Sequence, residues 1–183
     1  MSGSGIQTPD ETKPIWTEFW KLGEARANVP GIRARVILTQ PGAVKSRQFV
    51  VETGSGHHLI IDDAAGRTGP KPLELVAAAL AGCTAFDVIT ILRGKKRQQV
   101  TGYEVRVEAE QAERPPQAFV AVRIHHVVTG HEVDPAAVDE AIRISEEKYC
   151  SVEAMLKHSA VVRTTFEVVE ETVHSLLPVP EAT

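Results

Sequence analysis

Cysteine is scarce in this chain of 183 residues: there are two, Cys83 and Cys150. No CxxC or HExxH spacing is present, and the seven histidines do not make up for it. His57-His58 and His125-His126 are adjacent pairs on predicted strands, where neighbours point to opposite faces and cannot chelate together. No metal ligand and no cofactor is therefore expected. A GxSxG elbow for a nucleophilic serine is also missing. Blocks of like charge are absent, and the formal net charge is −4. The one basic cluster, Gly94-Lys95-Lys96-Arg97, reads as cations complementing the end of a helix, so no nucleic-acid partner is expected. The N-terminal Met1–Thr12 segment lacks an apolar h-region, which predicts a cytoplasmic protein. The longest apolar stretch, Leu75 to Leu92, is interrupted by Asp87 and diluted by alanines, glycine and threonines. It reads as a helix buried on most sides rather than a membrane span.

What is present suffices for one ordinary domain: 43% of the residues are hydrophobic, and the length allows a sizeable core. Met1 to Asp10 is rich in Gly and Ser and reads as a disordered tail. Ile15, Trp16, Phe19 and Trp20 recur at helical spacing and predict a helix packed on the body of the protein. Strand-like runs follow at Ala34–Thr39, Gln48–Glu52 and His58–Asp62, the last two joined by a Thr53-Gly54-Ser55-Gly56 hairpin signal. A connector from Gly66 to Pro72 delivers the apolar helix, which Gly94 is expected to end. Alternation through Tyr103, Val105 and Val107 predicts a half-exposed strand, and a second runs through Val120, Val122 and Ile124 after a Pro115-Pro116 break. Asp134-Pro135 reads as a cap and first turn of a two-helix segment reaching about His158, with Ser151 capping the second helix. A last strand alternates through Val162, Phe166 and Val168. Strands with helices set between them fit the α+β class.

The cysteines sit within this pattern at informative places. Cys83 lies in the apolar helix, and Cys150 falls at the junction of the later two, next to a helix N-terminus and two residues from Lys148. Both features are expected to lower its thiol pKa. The segment Gly69 to Val88, Gly-Pro-Lys-Pro-Leu-Glu-Leu-Val-Ala-Ala-Ala-Leu-Ala-Gly-Cys-Thr-Ala-Phe-Asp-Val, followed by Glu147-Lys148-Tyr149-Cys150-Ser151-Val152, resembles the OsmC/Ohr family of osmotically inducible and organic hydroperoxide resistance proteins, and within it the YhfA-like branch. The resemblance covers roughly Ala34 to Val169. It implies an OsmC-like fold with antiparallel sheets around a buried central helix, in an intertwined homodimer with active sites at the subunit interface. It divides the chain into an N-terminal extension (1–30), an OsmC-like domain (31–170) and a C-terminal tail (171–183).

The resemblance also implies a reaction. Cys83 attacks a hydroperoxide and becomes a sulfenic acid, Cys150 resolves it as a disulfide, and a dithiol or dihydrolipoyl protein reduces that bond. In a reducing cytosol the bond would be an intermediate rather than a staple. Peroxide-reducing members carry a glutamate directly after the proline that opens the helix, and it orients an arginine toward the first cysteine. Here that position is Leu73. Glu74, the candidate carboxylate in its place, is one step later, on the opposite helical face from Cys83. Arg47 is the candidate cation and Lys45 the second choice. Asp87, one turn after Cys83, either positions a cation in place of the glutamate or satisfies buried donors. The alternative to a peroxidase is a non-enzymatic protein of the same fold that binds a hydrophobic ligand or acts as a thiol redox sensor.

Overall fold

In the computed structural model of the protein the described residues are 32, 34–39, 47–63, 66 and 68–171. The aromatic N-terminal run, Lys45, the disordered-tail expectation and most of the C-terminal tail lie outside them. The first three strands, β1 (Ala34–Leu38), β2 (Phe49–Thr53) and β3 (His58–Ile61), form an antiparallel sheet in chain order. The turn between β2 and β3 closes as expected, with the Thr53 amide donating to the His57 carbonyl at 2.9 Å. Gly56 takes φ +81° there, which only a residue without Cβ adopts cheaply. No residue in these strands is buried within the single chain.

A second sheet contains β4 (Gln99–Gln111), β5 (Phe119–His131) and β6 (Val161–Glu170) in that order. β5 alternates cleanly, burying Val122, Ile124, His126 and Val128 on the face that helices cover. β4 and β5 are antiparallel, but β5 and β6 run parallel, pairing Ala121 with Val161 and Gly130 with Glu170. This corrects the expectation of purely antiparallel sheets. A parallel partner needs a crossover, and the two-helix segment supplies it: α2 (Pro135–Ile144), a π-helical turn (Ser145–Tyr149) and α3 (Ser151–Leu156) return the chain to the far end of the sheet. Asp134 caps α2 as predicted, accepting from the Ala136 amide at 2.9 Å ahead of Pro135.

The central helix α1 (Pro72–Thr90) continues as a π-helical turn, Ile91–Lys95, so Gly94 lies inside the helical run rather than ending it. The chain leaves after Lys96, through Arg97 at φ 51°. The basic cluster makes contacts within the chain: Lys96 pairs with Glu140, and Lys95 Nζ lies 5.9 Å from the Tyr149 ring centroid. Pro72–Lys95 is long and apolar enough to cross a bilayer by length and composition alone, as the core helix of a soluble protein can also be. In the fold it lies on the second sheet through Leu80, Thr84 and Val88, one residue per turn. The helix is covered on one side only, and Phe86 is 78% exposed. Two apolar clusters fill the space beneath it, one around Leu92, Val128 and Val138, the other around Leu80, Val122, Ile124 and Cys150. Each fully buried aliphatic side chain there contributes roughly 2 kcal/mol of hydrophobic stabilisation.

Candidate functional site

Two helices bring the cysteines together. On α1, Leu80 and Thr84 point into the core, which leaves Cys83 beside them at the half-buried edge and Asp87 one turn further along the same face. From the crossover comes Cys150, whose amide donates to the Ser145 carbonyl at 2.8 Å to close the π turn. Its backbone then switches to an extended conformation (φ −70°, ψ 93°), making Cys150 rather than Ser151 the N-cap residue of α3. The two sulfurs and the Asp87 carboxylate lie within 4.8 Å of one another, and Ser151 Oγ stands 4.0 Å from the Cys83 sulfur. Among the described residues this is the set of Cys, Asp, Glu or His donors near enough together to hold a metal ion.

Ser145 holds Asp87 in place. It is fully buried, and its hydroxyl lies 3.0 Å from Asp87 Oδ2 and 3.4 Å from Thr84 Oγ1. Asp87 therefore meets a buried donor, the second of the two roles expected for it. Neither Ser145 nor Thr84 was singled out from sequence. Thr84 directly follows the cysteine in an apolar run, but nothing local marks Ser145 among its charged neighbours.

The electrostatics of Cys150 differ from expectation. It is 2% exposed, and burial pushes its thiol from 9.0 up to about 12, against a smaller downward pull from the Glu153 amide. The Cys83 thiol and the Glu153 carboxylate push in the same upward direction as burial. Lys148, expected to help, sits over the Tyr149 ring at 5.3 Å. Desolvation thus outweighs the helix N-terminus. Glu153 is itself buried, with Oε1 paired to Lys157 Nζ at 2.9 Å and Oε2 lacking a hydrogen-bond partner.

The two polar candidates are engaged elsewhere. Arg47 Nε donates to Asp63 Oδ2 at 2.7 Å on the way into the connector, and its side chain is 76% exposed. Glu74 accepts from the Lys71 amide at 2.8 Å and sits 3.8 Å from Lys71 Nζ, spending its carboxylate on the start of α1. Leu73 is exposed beside it. Asp62, just before the connector, is buried and accepts from the Thr68 hydroxyl and amide; the hydroxyl bond is the main cause that holds its carboxyl below the usual range. These contacts fix the path by which the chain enters α1.

A second buried polar pair lies under the sheet face. Tyr103 Oη and His126 Nδ1 are 2.6 Å apart, and the fully buried His126 leaves Nε2 without a partner. Burial, followed by the neighbouring His125, lowers the imidazole from 6.5 to about 4. Burial also raises the Tyr103 phenol.

An α+β chain in which a thiol on a long central helix meets a second thiol from a β-α-β crossover is the architecture of a two-cysteine OsmC-like protein. Residues 64–165 match the family described as OsmC-like protein. The chain is 40% identical over 126 residues to Protein YhfA of Escherichia coli K12, an alignment spanning 69% of this chain and 93% of that one. A hypothetical protein from Aquifex aeolicus superposes with a TM-score of 0.68 at 27% identity, over 79% of this chain and all of the other. An organic hydroperoxide resistance protein OsmC from Legionella pneumophila shares the fold at TM-score 0.56 and 17% identity, covering 77% of this chain and 99% of that one. The chain belongs to the OsmC-like family.

Proposed function

We propose that the protein is a thiol peroxidase for organic hydroperoxides, working as a homodimer. The observation that carries this reading is the meeting of Cys83, Cys150 and Asp87 within 4.8 Å, because resolution of a sulfenic acid requires a second sulfur within reach of the first. The Cys83 thiolate attacks the terminal peroxide oxygen, the O–O bond breaks, and the departing alkoxide takes a proton from solvent and leaves as the alcohol. The sulfur of Cys150 then attacks Cys83 sulfenic acid. Asp87, near both sulfurs, takes the Cys150 proton and passes it to the departing hydroxide, so water leaves and the disulfide forms. A dithiol or dihydrolipoyl protein restores both thiols by exchange.

Two features support the dimer: the open face of α1 around Phe86, and the first sheet, whose strands bury nothing within one chain. Arg47 remains the proposed cation for Cys83. In this reading it exchanges Asp63 for the active site when the first sheet packs against a second protomer. A cytoplasmic location fits the need for a reducing partner. The competing reading, a redox sensor or apolar-ligand protein of the same fold, is favoured by Leu73 in place of the orienting glutamate.

One experiment tests the thiol chemistry, and repeated turnover with excess dithiol and peroxide separates a peroxidase from a sensor. Reduced protein is treated with one equivalent of cumene hydroperoxide, alkylated and weighed. A peroxidase loses about two hydrogens per chain as the disulfide forms, with stoichiometric cumyl alcohol. Cys83→Ser should abolish peroxide consumption, and Cys150→Ser should stop after about one turnover with Cys83 oxidised. Equal consumption by wild type and Cys83→Ser rejects the thiol mechanism.

A further inference from the structure

We propose that in the reduced protein Cys83, Asp87 and Cys150 form a three-donor site for one thiophilic divalent cation of the Zn2+ type, and that oxidation of the two thiols to a disulfide expels it. This use of the cluster is separate from peroxide reduction and needs only the reduced side chains.

Geometry and donor chemistry both favour it. A tetrahedral zinc centre with Zn–S of about 2.3 Å and Zn–O of about 2.0–2.2 Å places its donors roughly 3.5–3.8 Å apart. The three atoms here lie within 4.8 Å of one another, so a contraction of about 1 Å completes the site. Two of the donors are one turn apart on the rigid helix α1. The third, Cys150, stands buried on the extended residue between two helical segments, so the contraction is a small shift of packed side chains. Asp87 is already oriented by the buried Ser145 hydroxyl at 3.0 Å, the kind of outer partner that ligating carboxylates keep. Cys83 is half-buried with Ser151 beside it, and a water is the proposed fourth ligand. Two sulfurs and one oxygen select Zn2+ or Cd2+ over Mg2+ or Ca2+, which require oxygen.

The balance closes with reagents already named. Binding releases the two thiol protons and leaves a neutral Zn(dithiolate) unit, plus the Asp87 charge. An organic hydroperoxide then takes two electrons from the two sulfurs and, with two protons, becomes alcohol and water while the disulfide forms and Zn2+ departs. The disulfide no longer offers thiolate ligands. The ion also occupies the nucleophile, so bound zinc slows peroxide reduction and is lost once the disulfide has formed.

The test is a titration of the full reduced chain with Zn2+ against a chromophoric chelator, paired with Co2+ substitution to look for sulfur-to-cobalt charge-transfer absorption. One ion per chain and two protons released per ion are expected. Asp87→Asn should weaken binding at least tenfold, and Asp87→His, which restores a ligand, should recover most of it. Cys83→Ser or Cys150→Ser should remove the charge-transfer band, with circular dichroism checking that each variant is folded. Binding that persists in the Cys83→Ser protein, survives oxidation of the thiols, or is unchanged by Asp87→Asn overturns the site. The peroxide assay is run separately with a chelator present. A protein that binds zinc in this way but consumes no peroxide keeps the site and rejects the peroxidase; one that reduces peroxide and binds no zinc does the reverse.

Discussion

Burial raises the proton affinity of Cys150, and the effect can be measured without any substrate. At pH 7 a thiol of pKa 9.0 is about 1% thiolate, whereas one at about 12 is ionised to roughly one part in 10⁵. Alkylation proceeds through the thiolate, so burial alone predicts a slowing of about a thousandfold, and the 2% exposure of the side chain adds to it. In free energy the same ratio is about 4 kcal/mol against charging Cys150 in place. The assay is timed iodoacetamide labelling at pH 7, quenched, digested and read by mass spectrometry for the two cysteine peptides. Cys83, at the half-buried edge of α1, should label first, and Cys150 should lag a cysteine-containing peptide by about three orders of magnitude. Both should label alike in urea. If Cys150 labels within tenfold of the peptide in the folded protein, desolvation does not dominate its environment, and Cys150 becomes a candidate for the attacking thiol.

His126 predicts an acid-labile fold. Its pKa is depressed from 6.5 to about 4, so the unfolded chain binds the extra proton first. Stability is intact above pH 6.5 and falls by about 3 kcal/mol as pH drops to 4. Urea unfolding at pH 7.5 and 4.5 should show that loss in the wild type and a smaller one in His126→Gln; equal losses would refute the assignment. Phe86 predicts the association state. If its exposed ring meets a second copy, Phe86→Asp should cost roughly 2 kcal/mol on each side of a two-fold interface, about a thousandfold in Kd. Sedimentation velocity reads this directly, and a wild type that is monomeric at micromolar concentration removes the premise.

The features legible in the sequence were those written in local pattern. Alternation marked the strands, Asp134-Pro135 marked the start of α2, and the two cysteine motifs marked the family. The rest depended on contacts between distant segments. Nothing in Val162–Val168 distinguishes a parallel from an antiparallel neighbour, because alternation reports which face is buried and not which way the partner runs. Gly94 looked like a helix end, but the π-helical turn carries the chain past it on the buried pair Ile91 and Leu92. Position next to a helix N-terminus suggested an acidic thiol at Cys150, yet the degree of burial, which no short motif encodes, reversed the sign. Ser145 stayed hidden for the same reason: its partner Asp87 is 58 residues away.

The parallel pairing of β5 with β6 has a consequence for biosynthesis. Cys83 is made early, on a helix resting against β4 and β5, whereas Cys150 rides on a crossover whose far end is secured only when β6 zips onto β5 from Ala121–Val161 to Gly130–Glu170. A ribosome-bound chain that has not yet released β6 can already lay the crossover against α1, where Ser145 meets Asp87, but the crossover is anchored at one end only. The position of Cys150 relative to Cys83 is therefore held from both ends of the crossover only once the last strand is in place.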